Sequence, residues 1–436
     1  MRSSSWQRAV TGGMLALALH PITSWSASAQ PPLPSPLSLE QALSLADDTH
    51  PDLVLANAAL AQAQARSQQV RASDDLELGF TAELRAVQPS DIAYYQNHND
   101  SLARLNLSKQ LYDFGRTARA EEAAAAELDS RKWLLQSARQ QHRLDVMNRF
   151  FAVLLADLKY ARDNEALSIA YVRYDRAASK NKLGKVSDID LTELESIYQQ
   201  ARNELASSRN RQRITRSQLA ISLNRPTDLP AELVTPELEV TQLEGELDGW
   251  VARVLQENPR LLGLRAEVEA AQKQLQASEA ENNPVLRGEL EAATYNRELG
   301  GRDPLSAALV FELPLYSGNR VDAAAAERRA QVQQKQAELA AYELQLRQQV
   351  LEIWMDLDRL GTQREALQVT SDYRDLYLDR SRTLYDMDMQ TDLGDSMTQI
   401  ADIQWQKARN RFDILLAQAR LKALAGSLLK DPEPER

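Results

Sequence analysis

The seven residues LYDFGRT, Leu111–Thr117, end a stretch of alternating apolar and polar residues and begin an alanine-rich one. The similar sequence LYSGNRV, Leu315–Val321, stands at the same kind of junction later in the chain. Alternation with period two is typical of a strand with one apolar face, and alanine-rich sequence is typical of long helices. Each motif therefore predicts a corner at which a strand passes into a helix, and its glycine supplies the backbone freedom for that corner. The candidate corner residues are Tyr112, Gly115, Tyr316 and Gly318.

The two corners belong to a duplicated unit. Tyr316 follows Tyr112 by 204 positions, and the similar sequences around Pro51 and Pro259 are 208 positions apart. QQARNEL, which begins at Gln199, is answered 207 positions later by QKARNRF. Similar offsets in the same order indicate an internal repeat. The predicted organisation is a first repeat over 30–225, a proline-rich linker over 226–246, a second repeat over 247–428 and a polar tail over 429–436.

Each repeat predicts one hairpin followed by a pair of very long helices. The 68 residues from Arg116 to Leu183 contain no proline, and one helix of that length would measure about 100 Å. Apolar residues at alternating three- and four-residue steps give these helices coiled-coil spacing. The strands predicted from alternation are Leu76–Ala86, Ala103–Leu111, Leu286–Ala292 and Ala307–Leu313. The coiled-coil residues are Leu144, Met147, Phe151, Leu154 and Leu158, and then Leu339, Tyr342, Leu346, Val350, Ile353 and Leu357.

Residues 1–29 predict an export signal. Arg2 and Arg8 precede the short apolar core Met14–Leu19, and Ala27–Ala29 offers a cleavage site of small residues. An inner-membrane anchor is the alternative, but the core is much shorter than the ~20 apolar residues that a spanning helix needs. Later segments are also too polar for a spanning helix, so a chain that enters a membrane after export must do so as strands.

Composition excludes several other classes of function. The chain has no cysteine, and therefore no disulfide, thiolate metal site or lipid-bearing N-terminal cysteine. Its four histidines lie far apart in sequence, so metal catalysis is not indicated. Loss of the two arginines of the leader would change the net charge from −11 to −13, which argues against nucleic-acid binding. Neither corner motif is accompanied by a nucleophile–base pair or a phosphate loop, so the sequence predicts no enzyme and no cofactor.

Four strands cannot close a barrel, so several chains must contribute to one. The duplication, the paired hairpins, the LYDFGR and LYSGNR corners and the sequence LGDSMTQIADIQWQKAR resemble the TolC family of outer-membrane efflux and secretion channels, over Leu37 to Leu429. The resemblance implies a mainly α fold with a small β part. Three chains would share a twelve-stranded transmembrane β-barrel in outer-membrane lipid, and their paired coiled-coil helices would form an α-barrel across the periplasm. It also implies a passive, gated exit duct that works with a periplasmic adaptor and an inner-membrane pump.

Adaptor docking is expected at the two turns farthest from the strands, Gly184–Asp188 and Thr391–Asp395. A second role is also predicted for the first turn, because Ser187 and Asp190 resemble an N-terminal capping box. The docking candidates are Gly184, Val186, Ser187, Leu393 and Gly394.

Three aspartates at the second turn predict an acidic periplasmic gate. Asp388, Asp392 and Asp395 lie within eight residues, and threefold symmetry would turn each inward-facing one into a ring that favours cations. The alternatives are that these aspartates cap the return helix or face solvent, and capping is preferred for Asp395. Asp388 stands near a position where family members often carry a glycine, so the gating contacts of the family do not carry over directly.

Two other functions compete with the channel. A pore-less periplasmic coiled-coil scaffold would have no use for amphipathic strands of about membrane-spanning length, ~9–11 residues. An exported enzyme would need a catalytic constellation that the sequence lacks. For the transported substrate, drug efflux is the first expectation and protein secretion the second, while the scarcity of histidine and methionine clusters disfavours a dedicated exporter of soft metals.

Overall fold

The computed structural model describes residues 32–46, 50–94, 96–237, 245–297, 302–387 and 393–429. The predicted export signal and almost all of the polar tail lie outside the described residues, as do residues 238–244 of the proline-rich linker.

The two repeats contain the same order of elements. The first comprises α1 (Leu39–Ala46), α2 (Pro51–Ala72), β1 (Glu77–Glu83), β2 (Leu102–Tyr112), α3 (Arg116–Asn181) and α4 (Asp188–Ser222). The second comprises α5 (Leu247–Glu257), α6 (Pro259–Glu279) with a 3-10 turn at Ala280–Asn282, β3 (Val285–Tyr295), β4 (Leu305–Glu312), α7 (Arg320–Asp386) and α8 (Leu393–Leu424). The predicted mainly helical fold with four strands is thereby confirmed.

The long helices α3 and α7 have 66 and 67 residues, which makes each about 100 Å long. The prediction from Arg116 to Leu183 was therefore correct to within two residues at its end. Neither helix contains proline, and alanine, leucine, arginine and glutamine are strong helix formers, so no residue inside them interrupts the helical hydrogen bonds. Among the described residues, no helix combines the length and the apolar character needed to cross a membrane.

The four strands form one antiparallel sheet in the order β1–β2–β3–β4, so the hairpins of the two repeats join along β2 and β3. Leu107 pairs with Leu78 on one side and with Leu290 on the other. Because directly paired residues share a face, most large apolar side chains of the four strands lie together and most polar ones lie on the opposite face, although Lys109 shares the face of Leu309. The large apolar residues of the first face are Leu78, Phe80, Leu105, Leu107, Leu286, Leu290, Leu305, Leu309 and Phe311.

The helices form a layer in which the helices of the first repeat lie beside those of the second. In the part of the molecule farthest from the sheet, α3 packs between α4 and α8, and α8 packs on α7. Nearer the sheet, α6 packs on both α3 and α7. The order of helices across the distal layer is therefore α4–α3–α8–α7, which leaves α4 and α7 on its two flanks.

The buried core lies where α1, α3, α4 and α8 meet. Phe151 of α3 stacks on Phe412 of α8 with ring centroids 4.6 Å apart and planes at 3°. The predicted coiled-coil positions Met147 and Phe151 are buried, but so is Phe150. A coiled-coil seam faces one partner helix, whereas α3 packs on several, so its buried face is wider than the three-and-four spacing predicted.

Candidate functional site

The first corner is closed by Asp113, which the sequence analysis did not single out. Its carboxylate accepts hydrogen bonds from the backbone N–H of Gly115 at 3.1 Å and of Thr117 at 2.5 Å. Gln110 donates its side-chain amide to the same carboxylate at 3.2 Å. Burial alone would raise the pKa of the Asp113 carboxyl, but the hydrogen bonds from Thr117 and Gly115 hold it below its ordinary value. Asp113 thus satisfies the exposed N–H groups at the start of α3.

The predicted corner residues of the first repeat lie around this cap. Gly115 precedes α3 with a φ of +88°, and Phe114 before it has a φ of +54°. The left-handed conformation at Gly115 explains the glycine. Tyr112 pairs with Leu286 after a register shift in β2, which puts the tyrosine at the end of the apolar face. Tyrosine is enriched where apolar surface meets the membrane–water boundary, so this position is consistent with the rim of a membrane-embedded sheet.

The second corner turns with different residues. Gly318 has a φ of +66° and Asn319 a φ of +58°, and α7 begins directly after them. Tyr316 is exposed. The first corner is also linked to the segment just before β3, because the side-chain amide of Asn283 donates to the carbonyl of Phe114 at 3.2 Å. Both corner motifs therefore carry out the predicted change from strand to helix.

The first tip, between α3 and α4, is closed by side-chain caps. Ser187 accepts a hydrogen bond at its hydroxyl oxygen from the backbone N–H of Asp190 at 3.1 Å, which confirms that it caps α4. The side-chain amide of Asn181 donates to the carbonyl of Val186 at 3.0 Å and to the carboxylate of Asp188 at 2.9 Å. These bonds lie within the turn and fix its shape.

This tip exposes two large apolar side chains. Leu183 and Ile189 stand on either side of the turn and are 70% and 81% exposed. Gly184 lies between them with a φ of +70°, and a Cβ there would meet open space. Sequence reasoning missed both apolar residues, although two large aliphatic side chains that flank a polar turn could have indicated an exposed contact surface.

At the second tip, Leu393, Gly394 and Asp395 lie in the first turn of α8. This corrects the expected turn Thr391–Asp395, because helix has already begun at Leu393. A Cβ on Gly394 would lie 2.9 Å from Cγ2 of Ile169, so glycine at this position lets α8 approach α3 closely. Of the three predicted gate residues, Asp388 and Asp392 lie outside the described residues.

Asp395 is held by a cation from the other repeat. Its carboxylate lies 2.7 Å from the guanidinium of Arg173 in α3, and both side chains are about half exposed. An acidic residue in the first turn also interacts favourably with the helix dipole. The charge of Asp395 is therefore already balanced within the chain.

A second ionic cluster joins α3 to α8 farther from the tip. Arg162 lies 2.7 Å from the carboxylate of Asp163 and 2.6 Å from that of Asp402. Burial alone would lower the pKa of the Arg162 guanidinium, but the two carboxylates raise it above its ordinary value. Asp163 is only 3% exposed, so Arg162 is the cation that makes its burial tolerable.

In the part of the chain that the structure describes, no three histidine or acidic side chains come together as a metal site would require. The sheet has an exposed apolar face and a polar face on which Arg104 lies 3.6 Å from Glu291. Such a sheet, joined to helices about 100 Å long, is the architecture expected of a membrane-channel subunit.

Comparisons with known proteins agree with this class. Residues 250–427 match the model of the family described as outer membrane efflux protein. The protein CyaE of Bordetella pertussis is 24% identical over 336 residues, which cover 75% of this chain and 69% of CyaE.

Solved structures share the fold. The CmeC outer membrane channel of Campylobacter jejuni superposes with a TM-score of 0.74 at 12% identity, covering 99% of this chain and 95% of CmeC. The outer membrane protein VceC of Vibrio cholerae gives a TM-score of 0.71 at 17% identity, covering 89% of this chain and 96% of VceC. The resemblance to outer-membrane efflux proteins of the TolC family is therefore supported by the family match over residues 250–427 and by the shared fold.

Proposed function

We propose that three copies of the chain close into one passive channel, the exit duct through which an inner-membrane pump and a periplasmic adaptor deliver substrates to the exterior. The observation that carries the proposal is the sheet. Its apolar face is exposed, and its outer strands β1 and β4 each have an edge that no described strand pairs with. An open edge is not viable in lipid, so the edges of neighbouring copies must meet. Four strands from each of three copies give the twelve-stranded barrel.

The long helices supply the periplasmic part of the duct. The corner at Gly115 connects β2 to α3, and the corner at Gly318 connects β4 to α7 through a short turn. Both helical hairpins therefore leave the same end of the sheet. Their tips are the parts of the chain farthest from the membrane, and these are where the adaptor docks. The apolar surface that contacts the adaptor at the first tip consists of Leu183, Val186 and Ile189.

The second tip forms the gate in this proposal. Asp388 and Asp392 provide the acidic rings, because the charge of Asp395 is balanced by Arg173. Asp395 instead fastens the start of α8 to α3. Gly394 contributes to the same contact between α8 and α3, because its lack of a side chain permits the close approach of Ile169.

Two neighbouring residues of β4 test the channel directly. Leu309 lies on the apolar face and Ala308 on the polar face, where it pairs with Glu289. An arginine on the lipid face of a barrel costs about 2–4 kcal/mol near the bilayer centre, whereas the lumen tolerates charge. Leu309→Arg should therefore reduce the yield of assembled protein in the outer membrane, and Ala308→Arg should assemble and lower the cation current.

The measurements are the amount of protein in outer-membrane fractions and the single-channel current in planar bilayers. Equal assembly of both variants at the wild-type yield would mean that the apolar face does not meet lipid. A wild-type protein that forms no conducting pore would contradict the channel itself.

A further inference from the structure

The two flanking helices of the distal layer carry rows of opposite charge that do not meet within the chain. We propose that α7 of one copy pairs with α4 of the next through a ladder of aspartate–arginine and glutamate–arginine contacts, which sets the height at which neighbouring copies join. The inference rests on the proposed closure of several copies into one channel. It adds which surfaces meet and which side chains align them.

The acidic row lies on α7. Glu365, Asp372 and Asp379 follow one another at intervals of seven residues, and all three are exposed. The same side of α7 exposes Val369 and Leu376 at 70% and 72%, also seven residues apart. Seven-residue spacing of apolar residues with charged neighbours is the pattern of a helix that packs on another helix.

The carboxylates of this row make almost no ion pairs with basic side chains among the described residues. Among the described residues, Glu365 has no ion pair, and Asp372 accepts only the side-chain amide of Gln368 at 2.8 Å. Asp379 has a weak partner within its own helix, Arg382 at 3.7 Å. Each carboxylate therefore retains the capacity to accept an arginine from outside the chain.

The basic row lies on α4. Arg202, Arg209 and Arg216 follow the same seven-residue interval. Arg202 and Arg209 are exposed and have no carboxylate within ion-pair distance in the part of the chain that the structure describes. Arg216 is engaged with Asp157 of α3 at 2.7 Å.

The relative heights of the four helices follow from contacts between them. Those contacts are Gly394 against Ile169, Lys407 with Gln368 at 3.1 Å, and Gln212 with Asp157 at 2.7 Å. From these contacts, the position of each residue along the common helix direction follows by counting residues at ~1.5 Å each. Each member of the acidic row then lies at the same height along that direction, to within one helical turn, as one member of the basic row. The pairs at equal height are Asp379 with Arg202, Asp372 with Arg209, and Glu365 with Arg216.

Rows at equal height meet when the next copy is placed by rotation alone. A closed ring is generated by rotating each copy about one axis with no translation along that axis. The free flank of α7 in one copy then meets the free flank of α4 in the next copy. The side of α7 that packs on α8 and the side of α4 that packs on α3 fix how each helix is rotated about its own axis. With those rotations, helical-wheel positions put both rows on the same face of the layer. Opposite charges then face each other along the contact, and a shift by one heptad would leave a charge at one end without its partner.

A cysteine pair tests the alignment, because the chain has no cysteine of its own. Asp372→Cys combined with Arg209→Cys places two thiols at one predicted height on neighbouring copies. Asp379→Cys combined with Arg209→Cys is the matched control, because its thiols are offset by seven residues, or about 10 Å. A short bismaleimide should join the first pair into covalent dimers and trimers about tenfold more efficiently than the control, since cross-linking falls steeply with distance.

The outcomes separate the ladder from the channel. Equal cross-linking of the two pairs in a protein that still assembles would overturn the ladder and leave the channel standing. Cross-links to a different protein in place of a second copy would assign the rows to another partner and also overturn the ladder. Failure of the wild type to form any oligomer would overturn both.

A charge exchange gives an independent measurement on the same pair. Asp372→Arg alone should weaken the assembly, so that its dissociation rate in detergent rises about fivefold, the scale of one exposed ion pair. Adding Arg209→Asp should restore the wild-type rate, because the pair is re-formed in the opposite sense. A double variant that dissociates as fast as the single variant would contradict the pairing of these two residues.

Discussion

Arg162 of α3 lies 2.6 Å from the carboxylate of Asp402 in α8, a contact between residues 240 positions apart in sequence. The same guanidinium also binds its neighbour Asp163, which is almost completely buried. One cation therefore serves two carboxylates at the place where the helical hairpins of the two repeats meet. Arg173 and Asp395 repeat this arrangement nearer the tip, but with both side chains about half exposed.

This difference in burial predicts different effects for the two arginines. Arg162→Gln leaves the buried carboxylate of Asp163 without a cation, so it should lower the free energy of unfolding by about 3 kcal/mol. Arg173→Gln removes an exposed pair and should cost less than about 1 kcal/mol. Denaturant unfolding of the detergent-solubilised protein measures both. Equal losses in the two variants would show that Asp163 does not depend on Arg162.

The cap of the first corner predicts a pH dependence. The folded protein holds the pKa of Asp113 below its ordinary value, so the stability that this charge contributes is present above that value and is lost as the pH falls through the folded pKa. Asp113→Asn should therefore be less stable than the wild type at pH 7 by about 1 kcal/mol. The difference should shrink below about pH 4, where the carboxyl of the unfolded chain takes up its proton. A difference that is independent of pH would contradict the role of the charge.

The apolar surface of the first tip predicts a loss of transport without a loss of assembly. Leu183→Ser and Ile189→Ser remove exposed side chains that make no core contact, so the yield of oligomer should stay at the wild-type level. Export from cells, followed with a fluorescent efflux dye, should fall. Leu55→Ser is the matched control, because Leu55 is equally exposed but lies on α2. Wild-type export by both tip variants would remove this surface from the docking site.

The gate predicts unequal effects for its three aspartates. Asp388→Ala and Asp392→Ala should reduce the cation preference and the block by divalent ions, since each removes one ring of charge. Asp395→Ala should change selectivity less, because Arg173 already balances its charge, and should instead loosen the start of α8. Single-channel recording distinguishes these effects. Unchanged selectivity in the first two variants would refute the acidic gate, although the duct could still stand.

The sequence was sufficient for the parts of the fold that rest on local patterns. Period-two alternation located all four strands, and β2 was predicted as Ala103–Leu111 and observed as Leu102–Tyr112. The absence of proline located the long helices, and Ser187 caps α4 as its spacing from Asp190 predicted. Each of these features is decided by neighbours within a few residues.

The parts that the sequence did not predict depend on contacts between distant segments. Asp113 closes the first corner, yet one aspartate between a tyrosine and a phenylalanine has no distinctive spacing. The pairing of Arg162 with Asp402 requires that α3 lie beside α8, which no local pattern specifies. The close approach at Gly394 depends on Ile169 of another helix for the same reason. Tertiary contacts of this kind become visible only when the order of the helices is known.

The central claim is that this chain is one subunit of a closed channel, and the number of chains per particle tests it most directly. Native mass spectrometry of the protein extracted from outer membranes in detergent should give particles of three chains. The proposal predicts that dilution in detergent leaves this number unchanged, because the open strand edges are closed only in the assembly. A stable monomer that separates from membranes without detergent would contradict the account.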